Sequence, residues 1–262
     1  MAISKANYYD ISIERDFMSR SQYLGWLECE AKQAAILAGK WVEEPTEAML
    51  VGQYVHAWCE GKREQFISEH PEMFTKAGSL RYNFRQADHM IDTLKNDPLC
   101  MYTLEGEKEV CFTTEFAGAK WRVLLDVYNP ARRRIVDLKT TRSIWGQVWC
   151  EEKWARVSFI EKYKYILQAA LYCEIERIAN GRPENDWFDF YMVAVSKDNI
   201  PDKEVIDLRD PDRYKEELEK VKFDMGRILA IKAGDIKPHR CESCDYCRST
   251  KVLAGAIYYM DI

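Results

Sequence analysis

The sequence predicts an α/β protein in which a mixed β-sheet is flanked by helices. Helical spacing of apolar residues dominates before residue 100, strand-like runs lie between 108 and 140, and helix and strand patterns alternate after 160. The chain has 262 residues, 47% of them hydrophobic, which is enough for one large core. Because no repeat or Gly/Ser/Pro linker interrupts it, we expect a single domain over 1–262. Its N-terminal helices and a cysteine-rich tail at about 238–250 would pack on the core.

The N-terminal third is predicted to be helical. One helical pattern covers 19–39 and begins with serines that can cap a helix, a second starts at 45–46, and a third covers 84–94. The third pattern stops ahead of Pro98, because a residue that precedes proline disfavours helical backbone angles.

The middle of the chain predicts a β-meander. Three runs rich in Val, Ile, Leu, Phe and Trp lie at 108–114, 120–128 and 134–140. Asn129-Pro130 is a good turn, so the second and third runs are expected to form a hairpin. The later patterns predict a helix over 161–180, a strand over 188–196 and a charged helix over 211–233.

Composition excludes several classes of protein. With 12 Gly, 8 Pro and 13% aromatic residues, the chain is neither collagen-like, nor a coiled coil, nor disordered. No stretch approaches the roughly 18 apolar residues of a membrane span, so no membrane partner is expected. The N-terminus lacks the basic and apolar regions of a signal peptide, which predicts a cytoplasmic protein. A net charge of −5 argues mildly against nucleic-acid binding, unless basic residues gather on one face.

The segment Arg134-Ile-Val-Asp-Leu-Lys-Thr140 is the most chemically distinctive part of the sequence. In a strand, Asp137 and Lys139 share one face, while Val136 and Leu138 share the other. A carboxylate and an ammonium in an apolar strand carry a desolvation cost that pairing or a bound ion must offset. An exposed ion pair on a strand is the alternative interpretation.

The preceding run adds a second carboxylate. Its apolar residues Val123, Leu125 and Val127 are expected on one face, and Asp126 on the opposite one. In a hairpin, Asp126 and Asp137 can converge on one point with Lys139 beside it. Two carboxylates forced together repel each other, and a divalent cation is the usual remedy. Their hard oxygen ligands favour Mg²⁺ or Mn²⁺.

Two helical pairs accompany these carboxylates. Gly52 and His56 are four residues apart in an upstream helix, and Gln168 and Tyr172 are four apart in a downstream one. Residues at this spacing lie on one helical face. Taken alone, the histidine also fits a partly buried structural role, and the Gln/Tyr pair fits a plain helix edge.

The ordered set of motifs resembles the PD-(D/E)XK nuclease superfamily in its RecB-like branch. The set comprises Gly-x-x-x-His, a strand-borne Glu, Asp…Asp-x-Lys and Gln-x-x-x-Tyr. Met18-Ser-Arg-Ser-Gln-Tyr-Leu, Asp137-Leu-Lys-Thr-Thr141 and Cys241-Glu-Ser-Cys-Asp-Tyr-Cys247 are most similar to phage-type RecE exonucleases, and the resemblance covers about residues 18–250. The PD pair is not literal, since Leu125 precedes Asp126. The resemblance implies a restriction-endonuclease-like core.

The resemblance also implies roles for individual residues. Lys139 would orient or deprotonate the attacking water, Gln168 and Tyr172 would position the phosphate or the DNA end, and Glu109 would be the strand-borne Glu, with Glu107 as its rival. The implied metal ligands are His56, Asp126, Asp137 and the main-chain carbonyl of Leu138. The implied catalytic residues are Glu109, Asp126, Asp137, Lys139, Gln168 and Tyr172.

The cysteines give a second motif. Nine cysteines without a secretory signal indicate reduced thiols or metal ligands, and Cys241, Cys244 and Cys247 have the two-residue gaps of a metal or cluster site. Similarity to AddB-type nucleases implies Cys29 as the fourth ligand of a [4Fe–4S] cluster. Zn²⁺ on the same ligands or with His239, and unmetallated thiols, are the alternatives. The other five are interpreted as small buried hydrophobes: Cys59, Cys100, Cys111, Cys150 and Cys173.

Basic and aromatic residues supply candidate DNA contacts. Trp145, Trp149 and Trp154 are interpreted as a lid or a stacking wedge for a frayed end, with burial in the core as the alternative. The candidate phosphate ligands are Arg132, Arg133, Arg134, Arg142, Lys162 and Lys164.

The resulting hypothesis is a Mg²⁺-dependent deoxyribonuclease. The resemblance implies a 5′–3′ exonuclease on the ends of linear double-stranded DNA, which acts in phage or prophage recombination in a bacterial cytoplasm beside a single-strand annealing protein. The rivals are a structure-specific or CRISPR-adaptation-type nuclease of the same core and a non-catalytic DNA-binding module. Homo-oligomerisation stays open.

Overall fold

In the computed structural model, which describes residue 3 and residues 5–261, five strands form a mixed sheet in the order β1-β2-β3-β6-β7. A separate pair, β4 and β5, forms a small antiparallel hairpin. The strands are β1 (Glu107–Phe116), β2 (Ala119–Asn129), β3 (Arg134–Thr141), β4 (Val148–Cys150), β5 (Ala155–Val157), β6 (Asp189–Ser196) and β7 (Lys203–Asp207).

Helices flank the main sheet, so the predicted fold class is confirmed. None of those among the described residues combines the length and apolar character that crossing a membrane requires. They are α1 (Ile11–Asp16), α2 (Arg20–Glu28), α3 (Glu30–Leu37), α4 (Glu47–Cys59), α5 (Arg63–Glu69), α6 (Tyr82–Lys95), α7 (Pro98–Thr103), α8 (Phe159–Lys162), α9 (Tyr165–Ala179), α10 (Pro211–Ala233) and α11 (Asp245–Ser249).

The sheet is packed on both faces. On one side Phe190 and Leu171 belong to a large apolar cluster that joins the sheet to α2, α9 and α10. On the other side Tyr54 and Phe84 belong to a second cluster that joins it to α4 and α6. Fully burying an apolar side chain of this size stabilises a fold by about 1.5–3 kcal/mol, so these layers hold the strands in place.

Two predicted helices are interrupted. The helix predicted over 19–39 is broken at Cys29, whose extended backbone (φ −161°, ψ 106°) separates α2 from α3. The helix predicted over 161–180 is divided into α8 and α9 by Lys164 in the left-handed region (φ 53°). In both places the apolar periodicity continues across the break, so it could not predict the interruption.

Strands β2 and β3 form the predicted hairpin, but only at its closed end. Their ladder comprises the three pairs Asn129–Arg134, Tyr128–Ile135 and Val127–Val136. Beyond them β2 stays paired with β1, and β3 pairs in parallel with β6 along its whole length. The two strands therefore separate at Asp126 and Asp137. We call this opening the fork.

The regular alternation of β2 also changes at the fork. Val123 and Leu125 pack in the α9 cluster, whereas Val127 packs in the α4 cluster, so the prediction that all three share one face is wrong. The change occurs at Asp126, directly across from Glu109 on β1, which has a positive φ of 54°. A local departure from strand geometry at this pair shifts the pleat by one residue.

Candidate active site

The fork is the floor of a cavity of about 1190 Å³. His56 of α4 reaches it from one helical layer, and Gln168 and Tyr172 of α9 reach it from the other. The strands supply the acidic residues and the lysine between them. All seven side chains of the predicted metal and catalytic sets line this cavity: His56, Glu109, Asp126, Asp137, Lys139, Gln168 and Tyr172.

Asp137 is buried and only half satisfied. Its Oδ1 accepts hydrogen bonds from Lys139 Nζ at 2.8 Å and from Gln168 Nε2 at 2.6 Å. Its Oδ2 is buried without a hydrogen-bond partner among the described residues. Burial raises the pKa of Asp137, and the nearby Asp126 carboxylate adds to this while Lys139 opposes it. An unpaired buried carboxylate oxygen is costly unless a cation meets it, so this atom fits a metal ligand.

The side chain of Asp126 replaces a backbone hydrogen bond that β2 and β3 would form if they stayed paired at the fork. Its Oδ2 accepts from the Leu138 amide at 2.8 Å, in the place where β2 would otherwise pair with β3. In a strand the amide and carbonyl of one residue point to the same side, so the Leu138 carbonyl also faces the fork. This orientation agrees with its predicted role as a main-chain ligand.

Asp126 and His56 form an electrostatic pair. Burial alone would raise the pKa of Asp126, but His56, Lys139 and the Leu138 amide outweigh it and lower the pKa to about 2. The His56 Nδ1 lies 3.5 Å from Asp126 Oδ1. Burial would lower the pKa of His56, yet the Asp126 carboxylate outweighs it and the pKa is raised.

Glu109 completes a group that could hold a cation. One ligand atom from each of His56, Glu109 and Asp126 lies within 4.8 Å of the others. Burial, followed by the Asp126 charge, raises the pKa of Glu109 to about 7. The rival, Glu107, is exposed and does not line the cavity. A hard divalent ion would relieve the repulsion between these carboxylates, whose oxygen donors suit Mg²⁺ or Mn²⁺, while the imidazole of His56 is a softer donor.

The N-terminal segment contributes cavity residues that the sequence interpretation missed. Lys5 pairs with Glu60, and its Nζ also lies 3.5 Å from Glu109 Oε2. Arg20 lies over the Tyr165 ring, 5.6 Å from its centroid. Arg20 belongs to the Met18-Ser-Arg-Ser segment that resembles RecE, which was the available signal. No motif marked Lys5.

Most of the predicted phosphate ligands lie away from the cavity. Arg132 and Arg133 at the closed end of the hairpin pair with Glu105 and Asp186, and Arg134 donates to the Tyr102 carbonyl. Lys162 and Lys164 pair with Glu151 and Glu152. Arg142, just beyond β3, is exposed and forms no ion pair with any described residue. The structure therefore brings none of the six to the cavity wall.

The predicted thiol group assembles outside the cavity. The Sγ atoms of Cys29, Cys241, Cys244 and Cys247 all lie within 4.8 Å of one another. The closest are Cys29 and Cys247, at 3.6 Å. The amides of Lys32, Cys244 and Cys247 point at three of these sulfurs, at 3.3–3.4 Å.

This donor set fits a soft metal. Hydrogen bonds from Ser243 lower the pKa of Cys241 to about 5, which favours its thiolate, whereas burial raises the pKa of Cys29 and raises that of Cys244 to about 12, so those two thiols would lose their protons only to a bound metal. A Zn–S bond of about 2.3 Å gives tetrahedral sulfur separations of about 3.8 Å, close to the shortest ones here. A [4Fe–4S] cluster binds each thiolate to a different iron and would require wider separations. His239 lies outside the four-thiol group and donates its amide to Glu30.

The remaining cysteines and the tryptophans are placed as follows. Cys100, Cys150 and Cys173 are buried, as predicted, while Cys59 and Cys111 are half-buried. The alternative that the tryptophans belong to the core is wrong: Trp145, Trp149 and Trp154 are 74%, 44% and 83% exposed.

Known proteins share this fold. A family model described as a PDDEXK-like domain of unknown function (DUF3799) matches residues 19–250. The crystal structure of a protein from Eubacterium rectale named "Putative exonuclease" aligns with a TM-score of 0.92 and 35% identity, covering 100% of this chain and 98% of that chain. The structure of SSO0001 aligns with a TM-score of only 0.31 and 14% identity, over 87% of this chain and 91% of that chain. No curated protein matches the sequence.

Proposed function

Because the chain belongs to the PDDEXK-like family, within the PD-(D/E)XK nuclease superfamily, we propose that it is a Mg²⁺-dependent deoxyribonuclease that degrades linear double-stranded DNA from its ends. The observation that carries this proposal is the unpaired, buried Oδ2 of Asp137 beside His56, Glu109 and Asp126 in an open cavity. A bound cation would supply the partner that this buried carboxylate oxygen lacks among the described residues.

The metal would be held by Asp126, Asp137, His56 and the Leu138 carbonyl, with Glu109 in reach. When bound, Mg²⁺ supplies positive charge to the phosphoryl oxygens and lowers the pKa of an attacking water. Gln168 fixes the Asp137 carboxylate through its amide, which leaves Oδ2 directed away from that contact. The chain itself thus pre-orients the ligands, as an electrostatic catalyst requires.

Lys139 is the cation next to the reacting phosphate. Burial would lower the pKa of Lys139, but the carboxylates of Asp137 and Asp126 outweigh it and raise the pKa. A protonated Lys139 would orient the water and stabilise developing negative charge, whereas a cation bound to the two carboxylates would remove the cause of the raised pKa and let the lysine take a proton from the water instead. Burial raises the pKa of Tyr172 well above its ordinary value, so its neutral hydroxyl can donate to a phosphate oxygen.

The finer proposals rest on resemblance. The RecE-like segments and the exonuclease name of the Eubacterium rectale relative support a 5′–3′ exonuclease that acts in phage or prophage recombination, in a bacterial cytoplasm with a single-strand annealing protein as partner. A structure-specific or CRISPR-adaptation-type nuclease would instead prefer flaps or single strands. The complete set of His56, Asp126, Asp137 and Lys139 speaks against a non-catalytic DNA-binding module.

We also propose that the four-thiol group holds a metal that joins the two ends of the described chain. Cys29 and the segment 241–247 are more than 200 residues apart, and their sulfurs converge in a small cluster with Ala31 and Tyr246. A metal bound here would supply cross-linking rather than catalysis, since the nuclease cavity does not include these residues.

End-labelled linear and circular duplex DNA, each with and without Mg²⁺, test the nuclease proposal. We expect release of label only from linear DNA and only with Mg²⁺, and the labelled end shows the polarity. Asp137→Ala and Lys139→Ala should each reduce the rate about 10²-fold or more without unfolding the protein. Asp207→Ala is the matched control, because Asp207 also pairs with a cation two residues later, Arg209, but at an exposed site.

Undiminished activity in the purified Asp137 or Lys139 variant would defeat the assignment. Equal cleavage of circular DNA would replace the exonuclease with an endonuclease.

A further inference from the structure

The β4–β5 hairpin carries an outward face of two tryptophans and an arginine. Trp149 of β4 pairs in register with Arg156 of β5, so their side chains lie on the same side. Trp154, in the turn that joins the strands, lies close by: the Trp149 and Trp154 ring centroids are 6.0 Å apart, with planes at 87°. We call Trp149, Trp154 and Arg156 the hairpin face.

The hairpin is anchored on its other side. Cys150 is buried there, and three ion pairs tie the turn to α8 and the start of α9. They join Lys162 to Glu151, Lys164 to Glu152, and Lys153 to Glu161. These pairs hold the hairpin against the body and neutralise its carboxylates.

Arg156 keeps its positive charge available. It forms no ion pair with any residue that the structure describes, and its one hydrogen bond among those residues is a long contact of 3.5 Å to the Gln147 carbonyl. An exposed guanidinium beside two exposed indoles is unusual for a surface that contacts only water, because large aromatic side chains lose free energy when left in contact with solvent.

Trp154 is held outward by its backbone. Its φ of 47° lies in the left-handed region, which is uncommon for a bulky residue and costs about 1–3 kcal/mol unless the surroundings enforce it. The ring is nevertheless 83% exposed, and its ring contact among the described residues is the edge-to-face one with Trp149. The backbone therefore holds the ring at the surface, where a ligand can reach it.

The chain segment that follows β3 connects the proposed active site to the hairpin. β3 carries Asp137 and Lys139 and ends at Thr141, and Arg142 and Trp145 lie in the connection from β3 to β4. The indole Nε1 of Trp145 donates to Asp202 Oδ2 at 3.0 Å, which fixes an exposed ring. Six residues separate Lys139 from Trp145, so their Cα atoms lie at most roughly 20 Å apart, a distance that a few nucleotides span.

We propose that the hairpin face binds single-stranded DNA by base stacking, and so holds a strand that enters or leaves the active site. This rests on the proposed nuclease function. Aromatic rings interleaved with a cation are the recurring chemistry of sequence-tolerant single-strand binding. Duplex DNA shields its base faces by stacking, so exposed rings standing edge to face fit an unpaired strand better.

Binding of a fluorescein-labelled dT12 strand in EDTA, where cleavage is blocked, tests the proposal by anisotropy. The double variant Trp149→Ala/Trp154→Ala should bind about 10-fold or more weakly than wild type, and Trp149→Phe/Trp154→Phe should retain most of the affinity, because phenylalanine still stacks. Tyr82→Ala removes a 60% exposed aromatic from α6 and should leave binding unchanged.

An abasic strand of the same length separates stacking from charge. It keeps the phosphates but has no bases, so the difference between wild type and the double alanine variant should disappear on it. Equal binding of dT12 by wild type and that variant would overturn the proposal. So would an equal loss on dT12 and on the abasic strand, or tryptophan-dependent self-association with no binding of DNA.

Nuclease activity is assayed separately, on wild-type protein with Mg²⁺. Failure of the nuclease proposal would therefore appear as absent cleavage with dT12 binding intact, and failure of the stacking proposal as intact cleavage without tryptophan-dependent binding.

Discussion

Glu109 shows how one residue is placed against its backbone preference. An L-residue in the left-handed region costs about 1–2 kcal/mol, yet the chain has a glutamate there, as the third residue of β1 and across from Asp126. The conformation directs the carboxylate to the group with His56, and burial with a like charge nearby raises its pKa. The strained backbone at Glu109 thus lowers the stability of the fold, and in return it places a candidate metal ligand beside His56.

Replacing Glu109 with glycine and with alanine tests that interpretation. Glu109→Gly and Glu109→Ala both remove the carboxylate, and both should lose nuclease activity. The glycine variant should be more stable than the alanine variant by about 0.5–1 kcal/mol, because only alanine is penalised at φ 54°. Denaturant unfolding of both proteins measures the difference.

Thr113, an ordinary exposed residue of the same strand, is the matched control. There the order should reverse, with alanine more stable than glycine. The same order at both residues would show that Glu109 carries no strain.

At the scale of elements, the break between α2 and α3 places Cys29, a candidate metal ligand, between the two helices. Cys29 ends one helix and caps the next, since its Sγ accepts the Lys32 amide, and the same sulfur faces Cys247. The capping hydrogen bond fixes the position of the Cys29 thiol, and the need to place this thiol explains why the helix is broken here. An ordinary N-cap residue such as serine would be enough for capping alone, and without the thiol the helix could continue uninterrupted.

Cys29→Ser separates the two roles. Serine is a better N-cap than cysteine, so helix capping survives while the thiolate ligand is lost. We expect anaerobically purified variant protein to lose bound iron or zinc and to melt at lower temperature than wild type. Metal analysis, visible absorbance and thermal unfolding give the readouts, and iron with visible absorbance distinguishes a cluster from zinc.

Cys111→Ser serves as the control, because Cys111 is half-buried and outside the four-thiol group. Equal metal content in wild type and Cys29→Ser, or wild-type protein without iron or zinc, would contradict the proposal that the four-thiol group holds a metal.

The sequence predicted the features of this molecule that follow from local rules, but not those that depend on contacts between distant residues. Asp137 and Lys139 could be placed together because strand alternation is a local rule. Val127 could not be assigned to its face, since the shift of pleat arises where Glu109 adopts a positive φ, and glutamate gives no signal for that. Arg132 was expected in the hairpin turn and lies there, but its exclusion from the cavity was missed, because the sequence does not show that β2 and β3 separate at Asp126 and Asp137.

At the scale of the whole molecule, charge pairs fasten the ends of the chain near the thiol group. Glu30 at the start of α3 accepts two hydrogen bonds from Arg227 of α10, at 2.6 and 2.9 Å, and one from the His239 amide at 2.6 Å. The Arg227 hydrogen bond is the main cause of a lowered pKa for Glu30, and burial opposes it.

This pairing should make stability depend on pH in one direction. A folded-state pKa below the unfolded value of about 4.3 gives a stabilisation that is complete above pH 4.3 and is lost as pH falls through the folded pKa. Glu30→Gln should therefore melt below wild type at pH 7, and the difference should shrink as the pH falls through the folded-state pKa of Glu30.

Thermal unfolding across that range measures the effect. Glu28→Gln, which removes an exposed carboxylate with only a 3.5 Å contact to Lys32, should show little difference at any pH. A gap between wild type and Glu30→Gln that does not change with pH would contradict the role given to the carboxylate.

The fork has a mechanical consequence. His56 comes from the layer on one side of the sheet, and Gln168, which donates to Asp137, comes from the layer on the other. In the proposed nuclease, the relative position of the metal ligands would therefore depend on how both apolar layers pack against the sheet. A core substitution that shifts one layer without unfolding it would then reduce the nuclease rate before it reduces stability.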